Sequence, residues 1–332
     1  MKAAFLTEMN WQGKVPANHT NMRTEMAWMH ALQSDHFNIH EYEQVKEYDV
    51  VFVIFPKATV KLSAIGIEMS TPGTDKDISI YTKPVIETLK KSNGKVCVVQ
   101  EGPSWFFNEY DMATQFNFYN QLAECDIVFA HNVNDTHFYK GLFPQTKIEI
   151  IPSLVILGDW FHIPPIKQEN KALIGGNFCR WYGGFQSYVV ASSFECPIFV
   201  PSMHCKRPGE QAVPNLTHLP YMSWTEWILH IRTYKYAVHL MPTVAAGTFS
   251  LNCAIYGIPC IGNIKVDTQS VLYPDCSVDI DDVFEARFLA LQLRDSKEFY
   301  EHVSHYARKT AYDSVYMNVD KWLDHMKGVI YA

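Results

Sequence analysis

The eight cysteines of this 332-residue chain include no C-x-x-C pair, and no apolar run reaches the length of a membrane-spanning helix. Cysteines scattered through apolar segments indicate free thiols in a reducing compartment and exclude a disulfide framework. No G-x-x-x-x-G-K-[ST] is present, and no G-x-G-x-x-G follows the first predicted strand, which argues against P-loop and simple dinucleotide-binding proteins. We therefore expect a cytoplasmic protein without membrane attachment.

Positive charge is scarce, because 28 lysines and arginines oppose 35 aspartates and glutamates and leave a net charge of −7. This balance argues against broad, non-specific binding of nucleic acid, although a local basic surface remains compatible with it. The stretch from Lys57 to Lys95 carries seven lysines against four acidic residues. It is either a solvated face or a site for a polyanion.

Predicted strands and helices alternate along the whole chain, and the length suits two domains. The strand Asp49–Phe55 is almost entirely apolar, which is typical of a parallel sheet covered by helices on both faces. We predict an α/β fold with two Rossmann-like, doubly wound domains facing a central cleft. The predicted boundaries are 1–152 for an acceptor-binding domain, 153–170 for a linker, 171–312 for a nucleotide-sugar-binding domain, and 313–332 for a C-terminal helix that packs back on the first domain.

Several local elements are specific enough to be tested. Helices are predicted over Thr20–Leu32, Asn108–Glu124 and Trp181–Phe194, and a strand over His218–Met222. Ser223 and Glu226 form a predicted capping box. The stretch Pro56–Tyr81 shows no regular pattern, so no element is predicted there.

The segment Tyr236–Asn263, YAVHLMPTVAAGTFSLNCAIYGIPCIGN, carries the sharpest signal. It predicts a strand, a loop of very small residues at Ala245–Gly247, a helix with Thr248 as N-cap, and a second strand after Gly257 and Pro259. Small residues before a helix N-terminus let backbone amides approach an anion closely. A nucleotide diphosphate is the ligand that this pattern favours.

Further donor-binding candidates come from residues that follow predicted strands, because ligands of open α/β sheets bind beyond the carboxyl ends of the strands. Arg180 would neutralise a diphosphate, Tyr221 would stack on a base, and Asn252 would reach a ribose hydroxyl. A simple turn with a surface arginine remains the alternative at Arg180. The full set of candidates is Gly13, Lys14, Gly176, Asn177, Arg180, Tyr221, Met222, His239, Met241, Ala246, Gly247, Thr248 and Asn252.

This layout resembles that of the GT-B nucleotide-sugar glycosyltransferases, and the resemblance covers the whole chain, with its sharp part at Thr248–Gly262. In many such enzymes an acidic residue binds the ribose where Asn252 stands here. Val244 likewise occupies the place of the earlier glutamate of their two-glutamate motif. The resemblance thus implies a glycosyltransferase that departs from the commonest retaining families, with inversion or retention left open.

Glu101 is the predicted catalytic base, because it follows the strand Lys95–Val99 beside Gly102. A carboxylate there would take the proton of an acceptor hydroxyl as it attacks the anomeric carbon, through an oxocarbenium-like transition state. Asp111 and His19 are rival bases. The predicted acceptor-binding residues are Trp105, Phe106, Lys57 and Lys61, although adjacent aromatics are as often core residues.

The compact length and the lysine-bearing stretch resemble the DNA glycosyltransferases of T-even-type phages. That resemblance implies a UDP-sugar donor, double-stranded DNA carrying 5-hydroxymethylcytosine as the acceptor, and a target base extruded from the duplex. The alternatives are a saccharide or small-molecule acceptor, a non-enzymatic nucleotide-sugar-binding protein, and another two-domain enzyme such as an epimerase. No cofactor and no metal are expected, because the D-x-D at Asp279–Asp281 leads into Asp282 as a helix cap. The identity of the sugar and the oligomeric state stay open.

Overall fold

The computed structural model describes residues 2–56, 59–71, 78–100, 102–158, 168–179, 181–201 and 206–332. The chain divides into two compact units. Unit 1 comprises Met1–Pro152 and Trp322–Ala332, and unit 2 comprises Ser153–Lys321.

The elements are numbered in chain order. The strands are β1 Ala3–Thr7, β2 Asp35–Asn38, β3 Val50–Val53, β4 Thr59–Ser63, β5 Gly66–Thr71, β6 Ile78–Tyr81, β7 Lys95–Val99, β8 Ile127–Ala130, β9 Lys147–Ile150, β10 Glu169–Ile174, β11 Ile198–Val200, β12 Leu216–His218, β13 Tyr234–His239, β14 Cys260–Asn263 and β15 Ser277–Val278. The α-helices are α1 Glu25–Ala31, α2 Thr82–Leu89, α3 Met112–Ala123, α4 Val133–Leu142, α5 Gly184–Ala191, α6 Trp224–Ile231, α7 Thr248–Ile255, α8 Asp267–Leu272, α9 Val283–Asp295, α10 Lys297–Asp313 and α11 Val319–Tyr331.

Unit 1 is built on a parallel sheet with the strand order β2-β1-β3-β7-β8-β9. All four residues of β3 are buried, as its apolar sequence predicts. The rings of Phe5 and Phe52 stack at 4.6 Å on neighbouring strands. These aromatic and β-branched side chains form the core between the sheet and its helices.

The stretch Pro56–Tyr81, for which the sequence predicts no element, contains a second sheet in unit 1. Strands β4, β5 and β6 pair antiparallel in that order. Ile67 and Met69 of β5 are buried, whereas Glu68 and Ser70 between them are half-exposed. That alternation identifies a strand with one face on the core, but it is too short to stand out beside the lysines around it.

The carbonyl oxygen of Pro152, the last residue of unit 1 before the chain enters unit 2, connects two helices of unit 1. The indole nitrogens of Trp28, on α1, and Trp322, on α11, both donate to Pro152 O at 3.0 Å. Both indoles are almost fully buried. At the other end of α11, Lys147 Nζ donates to Val329 O at 2.6 Å and Lys95 Nζ donates to Ile330 O. These bonds satisfy carbonyls that a helix C-terminus otherwise leaves unpaired.

Unit 2 is built on a parallel sheet with the strand order β12-β11-β10-β13-β14-β15. Helix α7 is buried along most of its length, with Thr248 half-exposed, because its residues are small or apolar on every side. The predicted capping box at α6 is confirmed: Ser223 Oγ accepts from Glu226 N, and the Glu226 carboxylate accepts from Ser223 N. Asp282 caps α9, also as predicted.

Several predicted boundaries are wrong. Helix α1 begins at Glu25 and not at Thr20, and α5 begins at Gly184 because Gly183 has a φ of +52°. A short 3-10 helix, Ser104–Glu109, precedes α3, which starts after Asp111. The predicted strand His218–Met222 is replaced by β12, which ends at His218. Helix α8 was not predicted.

The seven cysteines in the described residues are all free and buried, as expected from their apolar surroundings. Cys205 lies outside the described residues. No helix in the described part of the chain is both long and apolar enough to cross a bilayer.

Candidate functional site

In unit 2, most of the predicted donor-binding residues lie in loops that follow strands of the parallel sheet. The loops after β10, β12 and β13 form what we call the carboxyl edge of unit 2. Parallel strands end at the same side of a sheet, and ligands bind there in open α/β folds. The geometry of these loops shows which ligand they suit.

The loop between β13 and α7 has its carbonyl oxygens bonded by side chains from distant parts of unit 2. The bonds run from Asn263 Nδ2 to Met241 O (2.9 Å), from Ser153 Oγ to Ala246 O, and from Thr268 Oγ1 to Gly247 O (2.8 Å). Within the described residues, the amides of Ala245, Ala246 and Gly247 donate to no acceptor. Three carbonyl oxygens of the loop therefore have donors while three of its amides have no acceptor in the described residues, and this polarity suits an anion.

Gly247 is the N-cap of α7, which corrects the prediction that Thr248 caps this helix. Its φ is +69°, in the left-handed region that glycine tolerates and Thr does not. A Cβ at Gly247 would lie 1.9 Å from Thr268 Oγ1. Ser250 Oγ also donates to Gly247 O at 3.0 Å. The helix starts at Thr248, one residue earlier than a Thr248 N-cap predicts.

Asn252 lies in the second turn of α7 and is 2% exposed. Its Oδ1 has no hydrogen-bond partner in the described residues. A buried carbonyl without a partner costs about 1–3 kcal/mol, so such atoms in folded proteins call for a specific explanation. A ligand hydroxyl that gained access to Oδ1 would supply one, and the contact of Asn252 with a ribose stays a prediction.

The Gly175-Gly176-Asn177 loop after β10 is held by close packing within unit 2. A Cβ at Gly175 would lie 2.2 Å from His239 Cδ2, and one at Gly176 would lie 2.5 Å from Tyr182 Cβ. Asn177 is buried, and its Oδ1 accepts from Cys179 N at 3.2 Å. Arg180, the predicted counter-charge for a diphosphate, lies outside the described residues.

His239 ends β13 and is 6% exposed, with its ring against Phe249 at 4.8 Å. Burial lowers the pKa of His239 from 6.5 to about 4. The imidazole is therefore neutral near pH 7 and can contribute a hydrogen bond but no positive charge to the carboxyl edge. Its contact with Gly175 places the β10 and β13 loops side by side.

Tyr221 and Met222 follow β12, in the segment predicted as a strand. Tyr221 is 71% exposed, which is high for an aromatic side chain, and Met222 is half-buried. An exposed phenol ring at the carboxyl edge of the sheet is suited to stacking on a planar ligand. Met241 lies two residues beyond β13 and is buried, and its carbonyl oxygen accepts from Asn263 Nδ2.

In unit 1, the loop after β1 carries Gly13 and Lys14. Gly13 exchanges backbone hydrogen bonds with His36 of the edge strand β2, at 3.0 and 2.8 Å, and has a φ of +93°. The indole of Trp11 stacks on the His36 ring at 4.0 Å. Lys14 is exposed beside this anchored glycine, so its ammonium is free to meet an anion.

His36 connects that loop to the strand beneath it. Its Nδ1 donates to Trp11 O at 2.6 Å, and its Nε2 lies 2.7 Å from Thr7 Oγ1. Burial lowers the pKa of His36, which favours a neutral ring with the proton on Nδ1 and a bond accepted from the Thr7 hydroxyl. The sequence carries no signal for His36, because only the pairing of β1 with β2 brings it to the loop.

Glu101, the predicted base, lies outside the described residues. The residues after it are well anchored: Ser104 N donates to Asp135 Oδ1 at 3.0 Å. Asp135 is 5% exposed at the start of α4, and its Oδ2 accepts from Asn132 Nδ2 at 2.7 Å. Asp135 is thus a buried carboxylate beside the loop after β7, and its only signal in the sequence is its place at a helix start.

The geometry of the two rival bases suits them to other roles. Asp111 caps α3, where its Oδ1 accepts from Thr114 N at 3.0 Å and its Oδ2 from Thr114 Oγ1 at 2.6 Å. The bond from the Thr114 hydroxyl holds the pKa of Asp111 below its ordinary value, which weakens it as a base. His19 Nδ1 accepts from Asn21 N at 3.1 Å, so a neutral ring carries its proton on the outer nitrogen and donates there.

The predicted acceptor-binding residues lie in two parts of unit 1. Trp105 and Phe106 are half-buried in the 3-10 helix before α3, where Phe106 packs edge-on against Phe107 at 5.4 Å. Lys61 is exposed on β4. Lys57 lies outside the described residues. The described residues hold no group of three or more His, Cys, Asp or Glu side chains that would bind a metal.

No protein-family model and no curated protein matches the sequence. Solved structures do match. The alpha-glucosyltransferase in complex with UDP and a 13-mer DNA containing a HMU base aligns with a TM-score of 0.64 and 12% identity, over 100% of both chains. The sucrose-phosphate synthase from Thermosynechococcus elongatus aligns with a TM-score of 0.59 and 10% identity, over 99% of this chain and 98% of that one.

TarM aligns with a TM-score of 0.61 and 11% identity, over 85% of this chain and 55% of TarM. The chain therefore spans about half the length of that protein. These neighbours are GT-B glycosyltransferases, and two parallel sheets with helices are what the chain shares with them. The chain has the GT-B fold, which confirms the fold class predicted from its sequence.

Proposed function

We propose that this chain is a glycosyltransferase that moves a sugar from a nucleotide-diphosphate sugar, with UDP as the favoured nucleotide, to a hydroxyl group. The free amides of Ala245–Gly247 carry the proposal, since they lie at the carboxyl edge of unit 2 in a GT-B fold. The unpartnered Oδ1 of Asn252 supports it independently.

The donor roles follow from the chemistry of each group. The loop amides and Arg180 would bind the diphosphate, Asn252 Oδ1 would accept from a ribose hydroxyl, and Tyr221 would stack on the base. The proposal includes no cofactor beyond the donor, because the loop amides and Arg180 would stabilise the negative charge of the diphosphate.

In the proposed reaction, the carboxylate of Glu101 takes the proton of the acceptor hydroxyl as its oxygen bonds to the anomeric carbon. The bond from that carbon to the donor's diphosphate oxygen breaks, and the nucleotide diphosphate leaves with the electron pair. Stabilisation of that leaving charge by preorganised amides is the largest contribution expected of the loop.

We propose DNA with 5-hydroxymethylcytosine as the acceptor. The alpha-glucosyltransferase crystallised with DNA aligns over 100% of both chains, and the 57–95 stretch supplies seven lysines against four acidic residues. A saccharide acceptor is the second candidate, and the sucrose-phosphate synthase supports it by aligning over 99% of this chain.

A transfer assay with a panel of UDP-, GDP- and ADP-sugars, with and without hydroxymethylcytosine DNA, tests the proposal. Glu101→Gln keeps the shape of the side chain and removes the base, so transfer should fall at least about 100-fold while the Kd for UDP stays within about twofold. Turnover of the donor without dependence on DNA would favour the saccharide acceptor. Absence of binding to every nucleotide sugar would refute the proposed function.

A further inference from the structure

The hairpin that joins β4 to β5 has an unusual turn. Ser63 pairs with Gly66, and the two residues between them are Ala64 and Ile65. Two-residue hairpin turns strongly favour Asn, Asp and Gly, and a β-branched apolar residue has no local reason to be there. Ile65 is nevertheless 50% exposed at the tip of this turn. Residues that break a local rule without a local gain are frequent at functional sites.

The turn is held rigidly in spite of its sequence. Ser63 Oγ donates to Gly66 O at 3.0 Å, and Ile65 N donates to Ser63 Oγ at 3.4 Å. Gly66 takes the left-handed position with a φ of +104°, so Ala64 and Ile65 need not adopt it. A Cβ at Gly66 would lie 2.9 Å from Lys83 Cβ and 3.1 Å from Gln121 Nε2, which shows how tightly the hairpin abuts α2 and α3.

The surface around the tip combines apolar and basic side chains. Leu62 is 43% exposed, next to the turn on β4. Lys61 precedes it and is exposed, and the Lys83 ammonium is more than half exposed at 3.7 Å from Glu87. An ion pair of that length between exposed groups is weak, so Lys83 can exchange it for a phosphate.

The position of the hairpin in unit 1 is the remaining observation. Strands β4–β6 are inserted between β3 and α2, directly after the carboxyl end of a central strand of the sheet. The base of the hairpin is at that edge, whereas its tip is one strand length away, where Gly66 abuts Lys83 of α2 and Gln121 in the last turn of α3. An exposed apolar tip, with exposed lysines on β4 and near the start of α2, is the chemistry of a wedge that enters a base step of duplex DNA, with lysines on the flanking phosphates.

We propose that Ile65 is such a wedge, which unstacks the duplex beside the base to be modified, with Leu62 against the opened step and Lys61 and Lys83 on phosphates. The inference rests on the proposed function with DNA as the acceptor, and it assigns the opening of the duplex to one side chain. It also predicts a preference: an acceptor base that is already unstacked should need Ile65 much less.

The test compares Ile65→Ala with wild type on a fully paired duplex containing hydroxymethylcytosine and on the same strand without its complement. Leu142→Ala is the matched control, because Leu142 is an apolar residue of unit 1 with 44% exposure. Ile65→Ala should lower transfer to the duplex at least about tenfold and transfer to the single strand less than about threefold. Leu142→Ala should change neither. A 2-aminopurine beside the target base should brighten with wild type and not with Ile65→Ala.

Donor hydrolysis without DNA separates the outcomes. If hydrolysis is unchanged in Ile65→Ala and transfer falls equally on duplex and single strand, or does not fall, the wedge is refuted and the glycosyltransferase proposal stands. If wild type hydrolyses the donor and transfers to neither DNA, the acceptor assignment and the wedge fail together. If wild type binds no nucleotide sugar, the proposed function itself is wrong.

Discussion

Asn252 offers the sharpest test of the donor site, because a packing residue and a ligand-binding residue respond to truncation in opposite ways. At 2% exposure, an ordinary packed side chain would lose stability on change to Ala. Asn252→Ala instead removes a buried carbonyl oxygen that has no partner in the described residues, which costs the free protein about 1–3 kcal/mol. Ala is also the better helix former by about 0.5 kcal/mol. The small cavity left behind offsets part of both gains.

We therefore expect the free energy of unfolding of Asn252→Ala, without ligand, to equal or exceed that of wild type by up to about 2 kcal/mol. The Kd for UDP should rise about three- to tenfold, because a neutral hydrogen bond to a ribose hydroxyl contributes about 0.5–1.5 kcal/mol. Asn252→Asp should do the reverse: a buried carboxylate lowers the stability of the free protein, and its stronger bond to a hydroxyl tightens binding.

Urea unfolding and calorimetric titration with UDP measure the two quantities separately. Ser193→Ala is the matched control, since Ser193 Oγ is also buried and unpartnered in the described residues but lies after α5, away from the carboxyl edge of unit 2. It should leave the Kd unchanged. A loss of more than about 2 kcal/mol in Asn252→Ala with an unchanged Kd would show that Asn252 is a packing residue and refute the reasoning.

Two further predictions concern the same edge. The pKa of His239 is near 6.5 in the unfolded chain and about 4 in the folded one, so the unfolded state binds more protons between these values. As the pH falls from 6.5 to 4, the free energy of unfolding should therefore decrease by about 3 kcal/mol. The pH dependence of the urea midpoint should become weaker in His239→Gln. It should be unchanged in the control His305→Gln, because His305 is exposed. Gly247→Ala should destabilise unit 2 by at least about 2 kcal/mol and abolish UDP binding, since its Cβ would lie 1.9 Å from Thr268 Oγ1. Gly328 is the control, because a Cβ added at this position of α11 would meet no atom within 4 Å. Gly328→Ala should stabilise the protein by about 1 kcal/mol. Equal changes in melting temperature for the two variants would contradict the steric argument.

The alternation of strands and helices could be predicted from the sequence, because buried parallel strands leave continuous apolar runs such as VVFV at Val50–Val53. The β4–β6 sheet could not. Its strands bury one face only. The alternation of Ile67 and Met69 with polar residues is too short to be recognised as a strand pattern, and Lys61 and glycines lie close to it in the sequence. Half-buried short strands carry less signal than fully buried ones.

The Gly175-Gly176 pair shows a different limit. A pair of glycines after a strand can let a ligand approach the backbone, and in the structure these two also have packing neighbours, His239 and Tyr182. Both explanations require a missing Cβ, so the residue type alone cannot separate them. Only the pairing of β10 with β13 brings His239 to Gly175.

The proposed anion-binding character of the β13–α7 loop depends on the loop's own residues and on three side chains outside it. Small residues at Ala245–Gly247 keep the amides accessible, which the sequence shows locally. Whether those amides remain free depends on the carbonyls being satisfied elsewhere, by the side chains of Ser153, Asn263 and Thr268. A loop with unsatisfied carbonyls would present mixed polarity and repel a diphosphate. The sequence therefore predicts where an anion can approach, and the proposed preference for an anion depends also on tertiary contacts.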